Sequence, residues 1–303
     1  MLLTRSGGRY CNAADCGTPL PGAGSGEEEM SEVMSEGGKE SFVGLEAAAW
    51  SPDRAAKSLR FVQPVFTIHP NPEVNEGIFA RLDDAIRAAL FGLSREAPTE
   101  DNMLLQSFFN WALWNLDADA YAAIQNKCID MWRNGSLDTY KFLNLPFYVK
   151  RKMRQLRRLG LHQGPPKRIL DIGCGPGHFQ LMAKYFGHEG VGMDLPFQAD
   201  HFFNALCGFF GVPKMDYRIE PMQPLPTLPE RFDLVTIFLT QFDFNKDYTP
   251  WNVQYWRFFV DDVCNNILKP DGVLYFTLTS EPRPTEVLQY LKSVQAKPDK
   301  SPS

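Results

Sequence analysis

The sequence predicts an α/β protein built on a doubly wound, mainly parallel sheet, with a helical cap before it. Three observations carry this. Beyond Pro165, short apolar strands alternate with helical stretches, the texture of a parallel sheet covered by crossover helices. Between Pro72 and Gly160, apolar residues recur every three or four positions, the texture of packed helices. At the first junction of the C-terminal part, RILDIGCGPGHF (residues 168–179) joins a buried strand to a helix through three glycines at spacing two.

Residues 1–41 are rich in Gly, Ser and Glu, with GAGSG running into three glutamates, so they bury too little apolar surface to offset chain entropy and are expected to form a disordered tail. Residues 59–68, LRFVQPVFTI, suit a strand, but Pro64 confines it to a sheet edge or splits it. After Pro72, Val74, Ile78, Leu82, Ile86 and Leu90 are spaced by four and predict an amphipathic helix ending near Gly92. Thr99, with Asp101 and Asn102 beside it, caps a second helix through Leu104, Phe108, Trp111 and Leu116. A third spans residues 121–132, and Pro146 opens a fourth that Gly160 ends. Residues 42–165 therefore read as a helical cap and substrate region, and residues 166–303 as the sheet domain.

In that domain, strands are expected at 168–172, 190–193, near 217–219, at 232–238 and at 272–279. Helices are expected at 178–186, 200–210, 251–268 and 285–295. Trp251, Tyr255, Trp256, Phe258 and Phe259 read mostly as core of the fourth helix. Asp261, Asp262, Asn265 and Asn266 on that helix read as a polar face, and no metal is expected.

Composition narrows the function. With 303 residues, 44% hydrophobic and 13% aromatic, the chain can bury a sizeable core. A formal net charge of -5 lacks the positive field that nucleic acid attracts. The fourth helix carries Lys150, Arg151, Lys152, Arg154, Arg157 and Arg158, which invites a nucleic-acid reading. We read it as the solvated side of an amphipathic helix whose Val149, Met153, Leu156 and Leu159 turn inward, so nucleic acid is not the expected partner. Six cysteines show no CxxC pair and no histidine at zinc spacing, so they read as reduced thiols. No apolar run has the length of a signal peptide or a membrane span, so an unanchored cytoplasmic protein is expected.

The chemistry concentrates in the glycine loop. Gly173, Gly175 and Gly177 permit a tight turn, Cys174 lies between them, and the following helix offers backbone N–H groups to an anion. Such a loop suits the methionine end of S-adenosylmethionine, its carboxylate at the helix N-terminus and its amino group at Asp171. The Gly-x-Gly start also opens a dinucleotide fingerprint, but the sixth position is His178 rather than Gly. Asp194, 17 residues after Gly177 and followed by Leu195, ends the second strand, where a carboxylate can accept hydrogen bonds from both ribose hydroxyls. It supports a nucleoside cofactor without naming it.

The glycine loop, Asp194, FDLV at 232–235 and ILKPDGVLYF at 267–276 together resemble the class I S-adenosylmethionine-dependent methyltransferase superfamily, over about residues 167–279. FGHEGVGMDLP and PWNVQYWRFF look like uncharacterised bacterial members. The resemblance implies strand order 3-2-1-4-5 and an adenine site after the third strand, about Glu220 to Met222. It also implies an antiparallel hairpin after the fifth strand, for which the remaining residues are too few. The fifth strand is then either an edge, or is covered by another segment such as residues 59–68.

The expected activity is methyl transfer to a small molecule. Thr240, Gln241 and Asp243, after the fourth strand, are expected at the acceptor site with the cap. FLTQFDF lacks the Asn/Asp-Pro-Pro-aromatic tetrapeptide that places amino nitrogens, which favours an oxygen acceptor on a sugar or another small metabolite. Asp243 and His178 are the candidate bases, with His178 also able to orient cofactor or pack. Of the other histidines, His188 reads as part of a turn, and His69 and His201 as structural. An NAD-type oxidoreductase and a non-catalytic binding protein on the same fold are the alternatives.

Overall fold

The computed structural model describes residues 2–6, 9–11, 78–133, 140–197, 201–279 and 281–294. Among the described residues before the sheet, the expected cap region holds four α-helices: α1 (Leu82–Ser94), α2 (Glu100–Asn115), α3 (Ala118–Arg133) and α4 (Leu145–Arg158). Thr99 caps α2 as expected, its side chain accepting from the Asn102 N–H. Asn144 caps α4 by accepting from the Phe147 N–H at 3.1 Å, and Pro146 fits the first turn, where no backbone donor is needed. Val149, Met153 and Leu156 are buried, as their spacing by four and then three requires. The basic side of α4 is partly spent within the fold. Arg157 pairs with Glu100 and Asp101 of α2, Lys152 lies over the Phe238 ring, and Arg158 hydrogen-bonds Tyr275.

The sheet domain follows as β3 (Arg168–Ile172), α5 (His178–Tyr185), β4 (Glu189–Asp194), α6 (Phe202–Phe210), β5 (Lys214–Asp216), β6 (Phe232–Phe238), α7 (Val253–Asp262), β7 (Leu268–Thr277) and α8 (Thr285–Ser293). Five parallel strands lie in the order β5-β4-β3-β6-β7, which is 3-2-1-4-5 counted along the domain. Alternate residues of a strand face opposite sides, and β3 shows it. Ile169 joins the core formed with the cap, α5 and α6, whereas Leu170 and Ile172 join the core formed with α7 and α8. Trp251, Trp256 and Phe259 are buried in the second core, as expected. Asp262 accepts from the Leu225 N–H and from Asn266, a structural use of its carboxylate.

Two expectations are corrected. The short third strand lies at 214–216 rather than 217–219, because pairing with β4 starts at the Pro213 carbonyl, which accepts from the Gly192 N–H at 2.8 Å. Residues 2–6 and 9–11, expected in a disordered tail, form strands β1 and β2. β1 runs antiparallel on the outer side of β7, with Leu3 opposite Leu274, and β2 pairs with β1. The open backbone groups of β7 accept any extended segment, so composition gave no sign of this pairing. The remainder of the expected tail and residues 59–68 lie outside the described residues.

Removing residues 1–11 is therefore expected to lower the melting temperature by about 3–8 °C, the loss of a few ladder hydrogen bonds at roughly 1 kcal/mol each. Circular-dichroism melts of the full and truncated chains check it; coincident melts would mean that the hairpin contributes nothing.

Candidate cofactor and active site

The loop of residues 173–177 leaves β3 and enters α5 in a left-handed backbone. Gly173 has φ 71°, and Gly177, the N-cap of α5, has φ 82°. At Gly173 the requirement is doubled, since a Cβ would stand 2.7 Å from the Cβ of Thr240 on the loop after β6. The Gly173 N–H donates to the Met193 carbonyl at 2.7 Å, and the Gly175 N–H donates to Asp194 Oδ2 at 2.6 Å. A Cβ on Gly175 would meet only the edge of Phe203, at 3.9 Å, so the glycine leaves a shallow cradle that any side chain would fill.

Asp171, at the end of β3, is 2% exposed and accepts from Thr236 Oγ1 at 2.7 Å. Burial raises its carboxyl to about 6, against the opposing pull of Lys152 and of the Thr236 hydrogen bond. Asp194 is also pushed up by burial, while the N–H groups of Leu195 and Gly175 hold it down. Its Oδ1 accepts from Leu195 N at 2.7 Å, so each oxygen holds one backbone donor and keeps lone pairs for a ligand. Cys174 is buried behind the loop, and Cys207 of α6 directs its thiol to the Gly175 carbonyl. Glu220 and Met222 lie several residues beyond the end of β5, with Met222 at φ 58° and half exposed.

Neither candidate base has the geometry of one. His178 is buried, stacked on Tyr148 with centroids 5.2 Å apart, and burial followed by the Lys152 charge lowers its imidazole to about 3. Its ring is packed against Tyr148, and its Nε2 is buried without a hydrogen-bond partner; the sequence had left base, cofactor-orienting and packing roles open. Asp243 is wholly buried and gripped by Arg283, with Nε donating to Oδ2 at 2.6 Å and Nη2 to Oδ1 at 3.1 Å. A carboxylate bound in this way is a clamp between loops. His188 accepts the Lys167 N–H at Nδ1 and bonds the Leu161 carbonyl through Nε2, and His201 caps α6, both structural as expected. His69 lies outside the described residues.

Comparison with known proteins fits this geometry: residues 170–276 match the family described as "Methyltransferase domain". Residues 170–276 thus match a methyltransferase domain, and they fold as a Rossmann-like sheet of order 3-2-1-4-5. No curated protein matches the chain. Among solved structures, the glycopeptide N-methyltransferase MtfA is 15% identical over 41% of this chain and 50% of its own, with a TM-score of 0.29. The PH0226 protein of Pyrococcus horikoshii OT3 is 20% identical over 42% and 57%, with a TM-score of 0.32. Coclaurine N-methyltransferase is 16% identical over 67% and 59%, with a TM-score of 0.28. The match thus spans little more than half the length of these chains.

In the methyltransferase domain the structure brings Asp171, the glycine loop, Asp194 and Leu195 to one edge of the sheet, with Thr240 against the loop. Sequence reading missed three contributors. Thr236 orients Asp171, Arg283 locks Asp243, and Lys152 reaches the loop from the cap. Only Lys152 had left a signal, as one basic residue among six on α4. Among the described residues, no helix is long and apolar enough to cross a membrane.

Proposed function

We propose that the chain transfers a methyl group from S-adenosylmethionine to a small-molecule acceptor. The observation that supports this best is the loop of residues 173–177, anchored to β4 through Asp194 and left with an open cradle over Gly175. The bound cofactor supplies a methyl already activated on a sulfonium, so alignment and exclusion of water are the protein's main tasks. In this reading Asp171 receives the amino group, Asp194 the ribose hydroxyls, Leu195 and the 220–222 segment the nucleoside face, and Cys174 backs the loop.

The acceptor is proposed to sit above the carboxyl ends of β3 and β6, between α4 and the loop carrying Thr240 and Gln241. With the imidazole of His178 lowered to about 3 by burial, and so a weak base, and with Asp243 clamped by Arg283, neither candidate base takes up a proton readily there. The oxygen acceptor favoured by the sequence is then one already ionised in solution, such as a carboxylate. This reading keeps the protein unanchored and assigns it no nucleic-acid partner.

Thermal shift tests the cofactor. S-adenosylhomocysteine at a hundred times its Kd contributes about 2.7 kcal/mol and is expected to raise the melting temperature by about 5–10 °C, with no shift from NAD. A shift with NAD alone would favour the oxidoreductase reading. Binding of S-adenosylhomocysteine without turnover of any carboxylate, hydroxyl or amine acceptor would favour the binding-protein reading.

A further inference from the structure

Among the described residues of the cap, Lys152 is the one whose charge reaches the glycine loop and Asp171 together. Its Nζ stands 4.5 Å from the centroid of the Phe238 ring. In the sheet, Ile172 pairs with Ile237, so Phe238 is level with Gly173, the first residue of the loop. The Phe238 ring packs edge-on against Phe179 in the first turn of α5, with centroids 4.8 Å apart. The ammonium is thereby fixed where β3, β6 and α5 meet. Lys152 and Asp171 feel each other's charge, yet no direct ion pair joins them among the described residues.

We propose that Lys152 receives the α-carboxylate of the cofactor's amino-acid end while Asp171 receives its ammonium, so that the cap closes the cofactor site by reading a zwitterion. This rests on the S-adenosylmethionine reading above. A separated cation and anion beside one loop complement a ligand that carries both opposite charges on a single carbon, and neither a phosphate nor an uncharged nucleoside offers that pair. The charges beside the loop agree. Burial lowers the ammonium of Lys152 to about 8 and raises the carboxyl of Asp171 to about 6, so each charge lacks a full partner. His178 beside them is neutral and adds no competing cation.

The test compares two ligands on the full chain by calorimetric titration. S-adenosylhomocysteine carries the amino-acid end, and 5′-methylthioadenosine has the same nucleoside and sulfur but a methyl group in place of that end. Lys152→Met is expected to weaken S-adenosylhomocysteine by roughly tenfold to a hundredfold, leave methylthioadenosine within about twofold, and be partly rescued in Lys152→Arg. Lys152→Gln, which keeps a polar stem over Phe238, serves the same comparison if the methionine variant melts early. Equal loss for both ligands would make Lys152 a packing residue and overturn the proposal. Unchanged affinity for S-adenosylhomocysteine would overturn it too while leaving the cofactor assignment standing. A wild-type chain that binds neither ligand would overturn the cofactor assignment itself.

Discussion

Asp243→Ala is expected to destabilise the fold by about 3–5 kcal/mol, the cost of leaving a buried cation without its partner. The Arg283 side chain is 3% exposed, and all of its donors are placed. Nε and Nη2 hold the two oxygens of Asp243, Nη2 also donates to Thr279 Oγ1 at 3.1 Å, and Nη1 donates to the carbonyls of Thr279 at 2.8 Å and Glu281 at 2.9 Å. The pair ties the loop after β6 to the loop after β7, both of which border the proposed acceptor site. Without the carboxylate, the guanidinium keeps three neutral acceptors and no counter-charge. The melting temperature should fall by about 10 °C. Asp243→Asn should cost less, since an amide oxygen still accepts one hydrogen bond. Replacing both partners, as in Asp243→Leu with Arg283→Met, should regain much of the loss. A general base would behave differently: Asp243→Ala would then melt like the wild type and only turnover would fall.

The contrast between Asp243 and Asp194 shows where the sequence was legible. Asp194 closes a glycine-containing strand at a fixed distance from the loop, and local pattern alone placed it at the end of the second strand; its bond to the Gly175 N–H came from the structure. The strand ends at 168–172 and 232–238 were likewise set by runs rich in Ile, Leu, Val and Phe, the composition a buried parallel strand needs. Asp243 sits in a loop, and its meaning depends on Arg283, 40 residues on, which no local pattern connects to it. His178 shows the same limit. The sequence left base, cofactor-orienting and packing roles open, and the contact that bears on them is Tyr148 on another element, stacked on the ring. The hairpin of β1 and β2 is the extreme case, because its place is set by the backbone of β7 and not by any apolar pattern of its own.

The same dependence on partners bears on α4. Read alone, six basic residues suggested an electrostatic face. In the fold, Arg157 answers two carboxylates of α2 within the cap, whereas Lys152 lies over Phe238 of β6 and Arg158 hydrogen-bonds Tyr275 of β7, so two of the six charges hold α4 against the sheet near the point where the cofactor is proposed to bind. Cap position and cofactor affinity are then linked, since a ligand that engages Lys152 favours the docked cap.

Asp194→Ala should weaken S-adenosylhomocysteine binding by roughly tenfold to a hundredfold, from the loss of charge-assisted hydrogen bonds contributing about 1.5–3 kcal/mol. The side chain acts twice. One oxygen fixes the Gly175 N–H and hence the shape of the loop, and the remaining lone pairs are placed for the ribose hydroxyls. The two roles separate in Asp194→Asn, where the amide oxygen can still take the Gly175 N–H but accepts from the hydroxyls without charge, so its affinity should fall between wild type and alanine. The fold should persist in both variants, because burial already disfavours the Asp194 carboxylate and its removal relieves that cost. Calorimetric titration with S-adenosylhomocysteine, with melts as the folding control, reads the series. If alanine, asparagine and wild type bind equally while melting alike, Asp194 does not hold the ribose, and its carboxylate serves the loop alone.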